Sequence, residues 1–346
     1  MFTMKAAIYN PYLDTMGGGE RYTLVFANIL QNLGYKIDMQ WRDFHTLEKL
    51  GVRFGLQTQG INVIDDVKRG DGYDVCFWVS DGSIPTLKAR NNFLHFQFPF
   101  KGIGGGSLLN KMKLFRIKKI ICNSHFTKEF IDEEYGVRSS VIYPPVDVEA
   151  IRPANQKENI ILYVGRFSTL MQEKRQDYLV DQFKKLLRHK IGKWKLVLAG
   201  GVEVGVSTNL ETLKKKSKGY PVEIVTSPNI NKIRQLYGKA KIFWSAAGFG
   251  VDEKKYPQKV EHFGISAVEA MAGGSVPVLF AAGGHKEIVN DGMGGFLWLT
   301  NKNLLEKTLY LIKNRQKMDL MSKQSTKLAA RFSQEEFTSN VKKLLL

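Results

Sequence analysis

Short apolar runs alternate with amphipathic stretches along almost the whole chain. Runs at 5–10, 35–41, 61–65, 73–79, 91–98, 118–123 and 139–143 have the length and composition of buried strands. Segment 19–33 predicts the clearest helix of the first half. Tyr22, Val25, Phe26, Ile29, Leu30 and Leu33 recur there at helical spacing, and Gly34 sits where a C-terminal cap belongs. The run Tyr143-Pro144-Pro145-Val146-Asp147, soon followed by Pro153, suits neither a helix interior nor a central strand. A linker is expected there. A second series follows, with strands near 159–165, 194–200, 222–226, 241–246, 276–281 and 295–299. Its helices are expected near 176–189, 208–218, 229–239, 264–272 and 301–314. The tail 316–346 reads as helical, and Ser333 with Glu336 forms a capping box that opens its last helix. Strands alternating with helices predict an α/β protein with parallel sheets. The expected domains are 1–150 and 151–330, with 331–346 a terminal helix.

Composition narrows the class. A chain of 346 residues accommodates about two domains, and 43% hydrophobic with 24% charged residues excludes a disordered, collagenous or disulfide-stapled protein. No apolar run approaches the roughly 18 residues of a spanning helix. The start, Met-Phe-Thr-Met-Lys, runs into a strand pattern without a signal-peptide signature. Cys76 and Cys122 each lie in an apolar run, so buried reduced thiols and a cytoplasmic setting are expected. The balance of 51 basic against 33 acidic residues, net +18, favours an anionic partner. Nucleic acid, anionic lipid and phosphorylated metabolites all satisfy it, so motifs must choose.

Two glycine-bearing segments carry candidate chemistry. Strand 5–10 leads to Asp14-Thr15-Met16-Gly17-Gly18-Gly19-Glu20 and then to helix 19–33. A glycine loop opening a helix lets backbone N–H groups approach an anion, aided by the helix dipole. Its spacing is neither that of a dinucleotide fold nor that of a Walker loop. The second segment is Glu261-His262-Phe263-Gly264-Ile265-Ser266-Ala267-Val268-Glu269, which places two carboxylates eight positions apart. Glu261 is expected in the loop before a helix beginning near Gly264, where a carboxylate can meet sugar hydroxyls. Glu269 falls one to two turns inside, where it can accept from a ribose diol. The N–H groups near Phe263 to Ser266 would face a diphosphate. Ala270-Met271-Ala272-Gly273-Gly274 ends that helix, and Gly283-Gly284-His285-Lys286-Glu287 repeats a glycine turn before a helix.

Glu261 and Glu269 match the E-x7-E signature, and their whole context resembles glycosyltransferase family 4, a retaining family of GT-B type. That resemblance implies two Rossmann-like parallel-sheet domains facing each other across a cleft, with the nucleotide-sugar held mainly by the second. Val164-Gly165-Arg166-Phe167 followed by Glu173-Lys174-Arg175 resembles the family's G-R-x…K segment. It implies that Arg166 and Lys174 neutralise the donor diphosphate, Glu269 holds the ribose, and Glu261 with the backbone of Phe263, Gly264 and Ile265 holds the sugar. Gly17, Gly18 and Gly19 resemble the glycine loop that reaches the donor phosphates from the first domain. Leu94-His95-Phe96 resembles the strand-end histidine near the transferred sugar, so His95 joins Glu261 as a candidate catalytic residue. Ser124-His125-Phe126-Thr127-Lys128 resembles a segment near the acceptor, and Glu20 and Lys128 are expected on that side. No metal site is expected, because no compact His/Cys/Asp cluster stands out, and no cofactor is implied beyond the nucleotide-sugar co-substrate. The implied reaction is hexose transfer with retention to a glycan or lipid-linked glycan, with GDP-mannose favoured as donor and UDP-sugars close behind.

Residues 101–128 contain seven basic residues and no acidic one, interleaved with Leu108, Leu109, Met112, Leu114, Phe115 and Ile117. The plainer expectation is a helix with one core face and one solvated basic face. The alternative is contact with an anionic membrane surface, which would place the protein peripherally on the cytoplasmic face. Nucleic acid is disfavoured, since no zinc finger or RNP-like segment occurs. Segment 248–257 is expected to be either a plain surface loop or a local sugar or acceptor contact. Two other readings stand beside the transferase: a nucleotide-sugar epimerase of the same fold, and a non-catalytic basic binding protein.

Overall fold

A computed structural model of the chain describes residues 4–15, 17–167, 174–202 and 207–345, with 207–209 as backbone only. Met16 and Glu173 of the quoted loops lie outside the described residues. The chain divides into two compact units, 1–145 with 334–346, and 146–333.

In the first unit the elements are β1 (Lys5–Tyr9), α1 (Gly18–Asn32), β2 (Lys36–Gln40), α2 (Phe44–Phe54), β3 (Ile61–Ile64), β4 (Val75–Val79), β5 (Asn91–Phe96), α3 (Leu108–Leu114), β6 (Lys119–Cys122), α4 (His125–Tyr135) and β7 (Ser140–Val141). Among the described residues they form a seven-stranded parallel sheet in the order β3-β2-β1-β4-β5-β6-β7. Ile8, Phe77 and Phe93 pack on one face against Phe26 and Leu30 of α1. Helix α2 was not expected from apolar spacing, since it buries only Leu47, Leu50 and Gly51. Its ends are set instead by Asp43, which accepts from Thr46 N at 2.8 Å, and by left-handed Gly55. Cys76 and Cys122 are buried free thiols.

The second unit contains β8 (Glu158–Val164), α5 (Gln176–Leu187), β9 (Lys195–Gly200), α6 (Ser207–Ser217), β10 (Val222–Thr226), α7 (Ile230–Lys239), β11 (Ala240–Ser245), α8 (Ile265–Ala272), β12 (Val276–Phe280), α9 (His285–Ile288), β13 (Phe296–Trp298), α10 (Asn301–Lys313) and α11 (Arg315–Ala329). Its described strands form a six-stranded parallel sheet in the order β10-β9-β8-β11-β12-β13. Two buried tryptophans brace that sheet, one to a helix and one between strands. Trp244 donates to Thr308 at 3.0 Å and Trp298 to the Ser245 carbonyl at 3.2 Å. The helical tail is broken at Ala330–Phe332, and α12 (Gln334–Leu345) then begins after Ser333. Helix α12 belongs to the first unit, where Phe337, Val341 and Leu344 complete the core beside Tyr22.

Strand order reverses between β1 and β4 in one sheet and between β8 and β11 in the other. In open parallel sheets the crevice outside the carboxyl ends at such a reversal receives ligands. The loops after β8 and β11 carry Arg166, Lys174 and Glu261, so topology alone places these residues at that point of the second unit.

Segment 101–128 departs in part from the plainer expectation. It is a short helix α3, then β6 and the start of α4, and α3 buries no residue. Leu109, Met112 and Phe115 are 62%, 67% and 92% exposed, whereas Leu114 and Ile117 are half-buried against the core of β5, β6 and α4, so only part of the apolar side meets solvent. Among the described residues no helix is long and apolar enough to cross a membrane.

Candidate functional site

The loop after β8 is pinned before it reaches its charged residues. Gly165 N donates to the Ala199 carbonyl and Phe167 N to that of Gly201, both at 2.9 Å. A Cβ on Gly200 would lie 2.0 Å from the Gly165 carbonyl oxygen, so only glycine admits this approach. Gln176 Nε2 holds the Arg166 carbonyl at 2.9 Å, which fixes the backbone of this exposed residue.

Lys174 points into the unit. Its ammonium donates to Glu261 Oε2 at 2.7 Å, with the two side chains only 16% and 18% exposed. Burial alone would raise the Glu261 carboxyl. Lys174, together with His285 and His262, overcomes that and holds it at about 2. His285 is itself buried, which lowers its proton affinity, and its Nδ1 sits 3.0 Å from the Phe280 carbonyl. Arg175 turns elsewhere: its Nη1 donates to the Phe249 carbonyl at 3.1 Å and its guanidinium lies over the Tyr178 and Phe249 rings. Adjacent cations in sequence thus have separate partners.

The backbone beyond Glu261 is shaped by glycine. Gly264 caps α8 with φ 111°, a left-handed conformation in which a side chain is strained. Across from it, Gly284 N donates to the Glu261 carbonyl at 2.8 Å. A Cβ on Gly284 would stand 2.4 Å from the His262 carbonyl oxygen, so the Gly283-Gly284 turn lies directly on backbone 261–263. The Phe263 side chain is buried and meets Phe332 edge-on at 5.2 Å. What this segment offers a ligand is therefore backbone: the first turn of α8 has N–H groups without intrahelical acceptors.

Glu269 lies one turn into α8 and accepts from the hydroxyl of fully buried Tyr237 at 2.7 Å. Segment 248–257 is bound in as well. Glu253 accepts from Gly283 N at 2.7 Å and pairs with Lys286 at 2.6 Å, while Phe249 stacks on Tyr178. Tyr237 and Glu253 were not singled out from sequence. Tyr237 reads as one more core aromatic of a helix, and Glu253 as one charge in an acidic–basic loop.

In the first unit, Gly17 N donates to Glu20, whose buried carboxylate folds back as a capping box on its own loop. Gly19 lies directly under the Gln97 amide: a Cβ there would stand 1.8 Å from Gln97 Oε1 and make that side chain move. Gln97 also donates to the Gly19 carbonyl at 3.4 Å, and Asn123 to that of Gln97 at 2.9 Å. The residue of β5's end that reaches the glycine loop is thus Gln97. His95, two residues earlier, points the same way along the alternation but is fully buried, stacked on Tyr22 at 4.1 Å. Its Nδ1 lies 3.2 Å from the Ile121 carbonyl, and burial lowers its proton affinity to about 3. Lys128 pairs with Asp132 and donates to the Ser139 carbonyl at 2.7 Å.

A family model described as glycosyl transferases group 1 matches residues 147–328, more than half of the chain. The chain belongs to that family. This group 1 member is 29% identical over 232 residues to an uncharacterized glycosyltransferase of Methanocaldococcus jannaschii, covering 65% of this chain and 58% of that protein. It is 26% identical over 248 residues to the GDP-Man:Man(3)GlcNAc(2)-PP-Dol alpha-1,2-mannosyltransferase of Dictyostelium discoideum, covering 66% and 47%. The chain spans about half the length of these curated relatives. Among solved structures, HepE of Anabaena in complex with UDP is alike over 99% of both chains, with a TM-score of 0.77 at 18% identity. The fold of this group 1 member is accordingly GT-B, built of two Rossmann-like parallel-sheet units.

Proposed function

We propose that the chain is a retaining glycosyltransferase that moves a hexose from a nucleotide-diphosphate sugar to a lipid-linked glycan. The observation that carries this reading is the buried Lys174–Glu261 pair beside the glycine-capped start of α8, at the strand-order reversal of the family-matched unit. Arg166 and Lys174 supply positive charge for the diphosphate, which stabilises the departing nucleotide as its bond to the sugar breaks. Glu261, held ionised, accepts hydrogen bonds from sugar hydroxyls, and Glu269 accepts from the ribose diol. In front-face transfer the acceptor proton passes to the departing phosphate oxygen, so no protein nucleophile is required.

The donor is read as a UDP-sugar, a choice supported by the whole-length likeness to HepE, which is recorded with UDP and with UDP-glucose. The GDP-mannose expectation is supported by relatives matched over shorter fractions of their length. A thermal-shift panel of UDP, GDP and ADP with their sugars decides between them. A nucleotide at about 100 times its dissociation constant stabilises the native state by ~2.7 kcal/mol. UDP alone shifting the transition supports the reading; GDP alone restores the mannose expectation. Silence across the panel removes the donor site.

The lipid-linked acceptor is supported by α3 and its C-terminal end, where exposed Leu109, Met112 and Phe115 lie among Lys111, Lys113 and Arg116. Apolar side chains interleaved with cations suit insertion at an anionic bilayer surface.

A further inference from the structure

At the end of the second sheet opposite Arg166, Lys174 and Glu261, the structure has a half-open cleft of about 910 Å³ that no part of the transfer reaction uses. It opens at the N-terminal ends of β8, β9 and β11, whereas the candidate donor residues follow the C-terminal ends of β8 and β11. A strand of seven residues separates the two by on the order of 20 Å.

Its lining is cationic. Lys157, Lys193, Lys239, Lys241 and Arg315 converge from four places in the chain, against only Glu158 and Asp319. Lys239 pairs with Glu158 at 2.8 Å, and Arg315 lies at 4.0 Å from Asp319. Glu158 offsets Lys239, Asp319 at 4.0 Å only weakly offsets Arg315, and Lys193 and Lys241 have no acidic partner among the lining residues. Lys157 forms the floor. Its ammonium donates to the carbonyls of Gly238, Ala240 and Gly273, at 3.0, 2.6 and 2.6 Å, which gathers the ends of α7 and α8 at the start of β11. Lys241 donates to Asn159 at 2.6 Å, a neutral partner. Burial, then the charge of Lys241, brings Lys157 down to about 7, and burial with the charge of Arg315 lowers Lys241. Clustered cations disfavour one another's charged forms, a cost that a bound anion reverses.

We propose that this cavity is a second ligand site of the protein, for a small phosphorylated metabolite such as a sugar phosphate or an oligophosphate. Its volume is that of a small-molecule site. The polar, lysine-rich lining selects for phosphate oxygens over an apolar body, and Lys193, Lys241 and Arg315 are the residues placed to meet them.

The test uses inorganic tripolyphosphate as probe in isothermal titration of the full chain. Four proteins are compared: the wild type, a cavity variant (Lys241→Gln with Arg315→Gln), a donor-site variant (Arg166→Ala with Lys174→Ala) and a surface control (Lys214→Gln with Lys218→Gln). Binding that persists in the donor-site variant and the control, but weakens at least tenfold in the cavity variant, is the expected result. Lys193→Gln alone, at an exposed side chain, should weaken it several-fold without altering the unfolding transition. Binding lost in the donor-site variant and kept in the cavity variant overturns the proposal. Equal weakening in cavity variant and control also overturns it, since general charge would then suffice. Because the readout is binding rather than transfer, the result does not depend on the donor assignment.

Discussion

Lys174 and Glu261 stand 87 positions apart in the chain and meet through a 2.7 Å charge-assisted hydrogen bond. The pair joins the loop after β8 to the loop after β11. Each partner makes the other's burial tolerable: the carboxylate is held at about 2 against the upward push of its surroundings.

Stability should therefore depend on Glu261 within a defined pH window. The unfolded carboxyl binds its proton near 4.5 and the folded one near 2. The contribution is complete above pH 4.5 and is lost as pH falls through 2. Linkage sets it at roughly 3 kcal/mol. Urea unfolding of wild type and Glu261→Gln should differ by about 2–4 kcal/mol at pH 7, and the gap should close toward pH 2. A gap of equal size at pH 7 and pH 2.5 would falsify the pairing. In the transferase reading, the same variant lowers turnover at least a hundredfold.

Tyr237 acts on the donor through Glu269. The hydroxyl at 2.7 Å fixes which way the carboxylate faces, while the ring is core. Tyr237→Phe keeps the ring and removes the bond, at about 1 kcal/mol. The donor KM should rise about fivefold with kcat within a factor of two. A fall in kcat at unchanged KM would instead put Tyr237 in the chemical step.

How much of this was legible in sequence follows from the range of each interaction. The β-α alternation, Gly264 at a helix start and the proline-marked linker depend on local backbone preferences, and single residues reveal them. The Lys174–Glu261 bond, the Glu253 clasp on Gly283 and Lys286, and the Tyr237 hydroxyl depend on which loops converge. No periodicity encodes that. His95 shows a subtler limit. Alternation along β5 fixes its face of the sheet, but packing from other elements, Tyr22 of α1 and Phe77 of β4 among them, seals the imidazole. Segment 101–128 shows the converse: its apolar spacing predicts a core face, and the structure packs Leu114 and Ile117 on the core but leaves Leu109, Met112 and Phe115 in solvent.

The glycines of the 283–284 turn separate backbone approach from simple flexibility. Gly284→Ala drives a Cβ to 2.4 Å from backbone atoms of His262 and Phe263, which cannot yield as a side chain would. It should cost about 2–4 kcal/mol, as overpacking against fixed atoms does. Gly201→Ala, with open space around its Cβ, should change stability by less than about 0.5 kcal/mol. Thermal unfolding of the two variants checks the contrast. Equal melting points would mean that the turn yields.

His95 should make its own mark at mildly acid pH. Its folded pKa of about 3 lies below the ordinary 6.5, so the unfolded chain takes up a proton that the folded one refuses. Stability from this group is whole above pH 6.5 and falls as pH drops toward 3. His95→Phe, which retains an aromatic ring against Tyr22, should flatten the stability–pH curve of the wild type between 6.5 and 4.5, above the range where Glu261 titrates. If the two curves run parallel there, His95 is not held neutral. A neutral imidazole also adds no ionisation to the rate profile between pH 5 and 8.

The exposed side of α3 makes the last prediction. Leu109, Met112 and Phe115 lose water contact only if something covers them, and the neighbouring Lys111, Lys113 and Arg116 repel any cationic surface. An anionic bilayer satisfies both conditions. Each basic residue near such a surface contributes about 1 kcal/mol at low salt, and insertion of apolar side chains adds a part that salt does not screen. Sedimentation with vesicles containing phosphatidylglycerol should capture the wild type, and vesicles of phosphatidylcholine alone should not. Leu109→Ser with Phe115→Ser should reduce capture at high salt more than at low salt. Lys111→Gln with Lys113→Gln should do the reverse. Capture unchanged in both variants would assign the membrane contact, and the lipid-linked acceptor it supports, to some other surface.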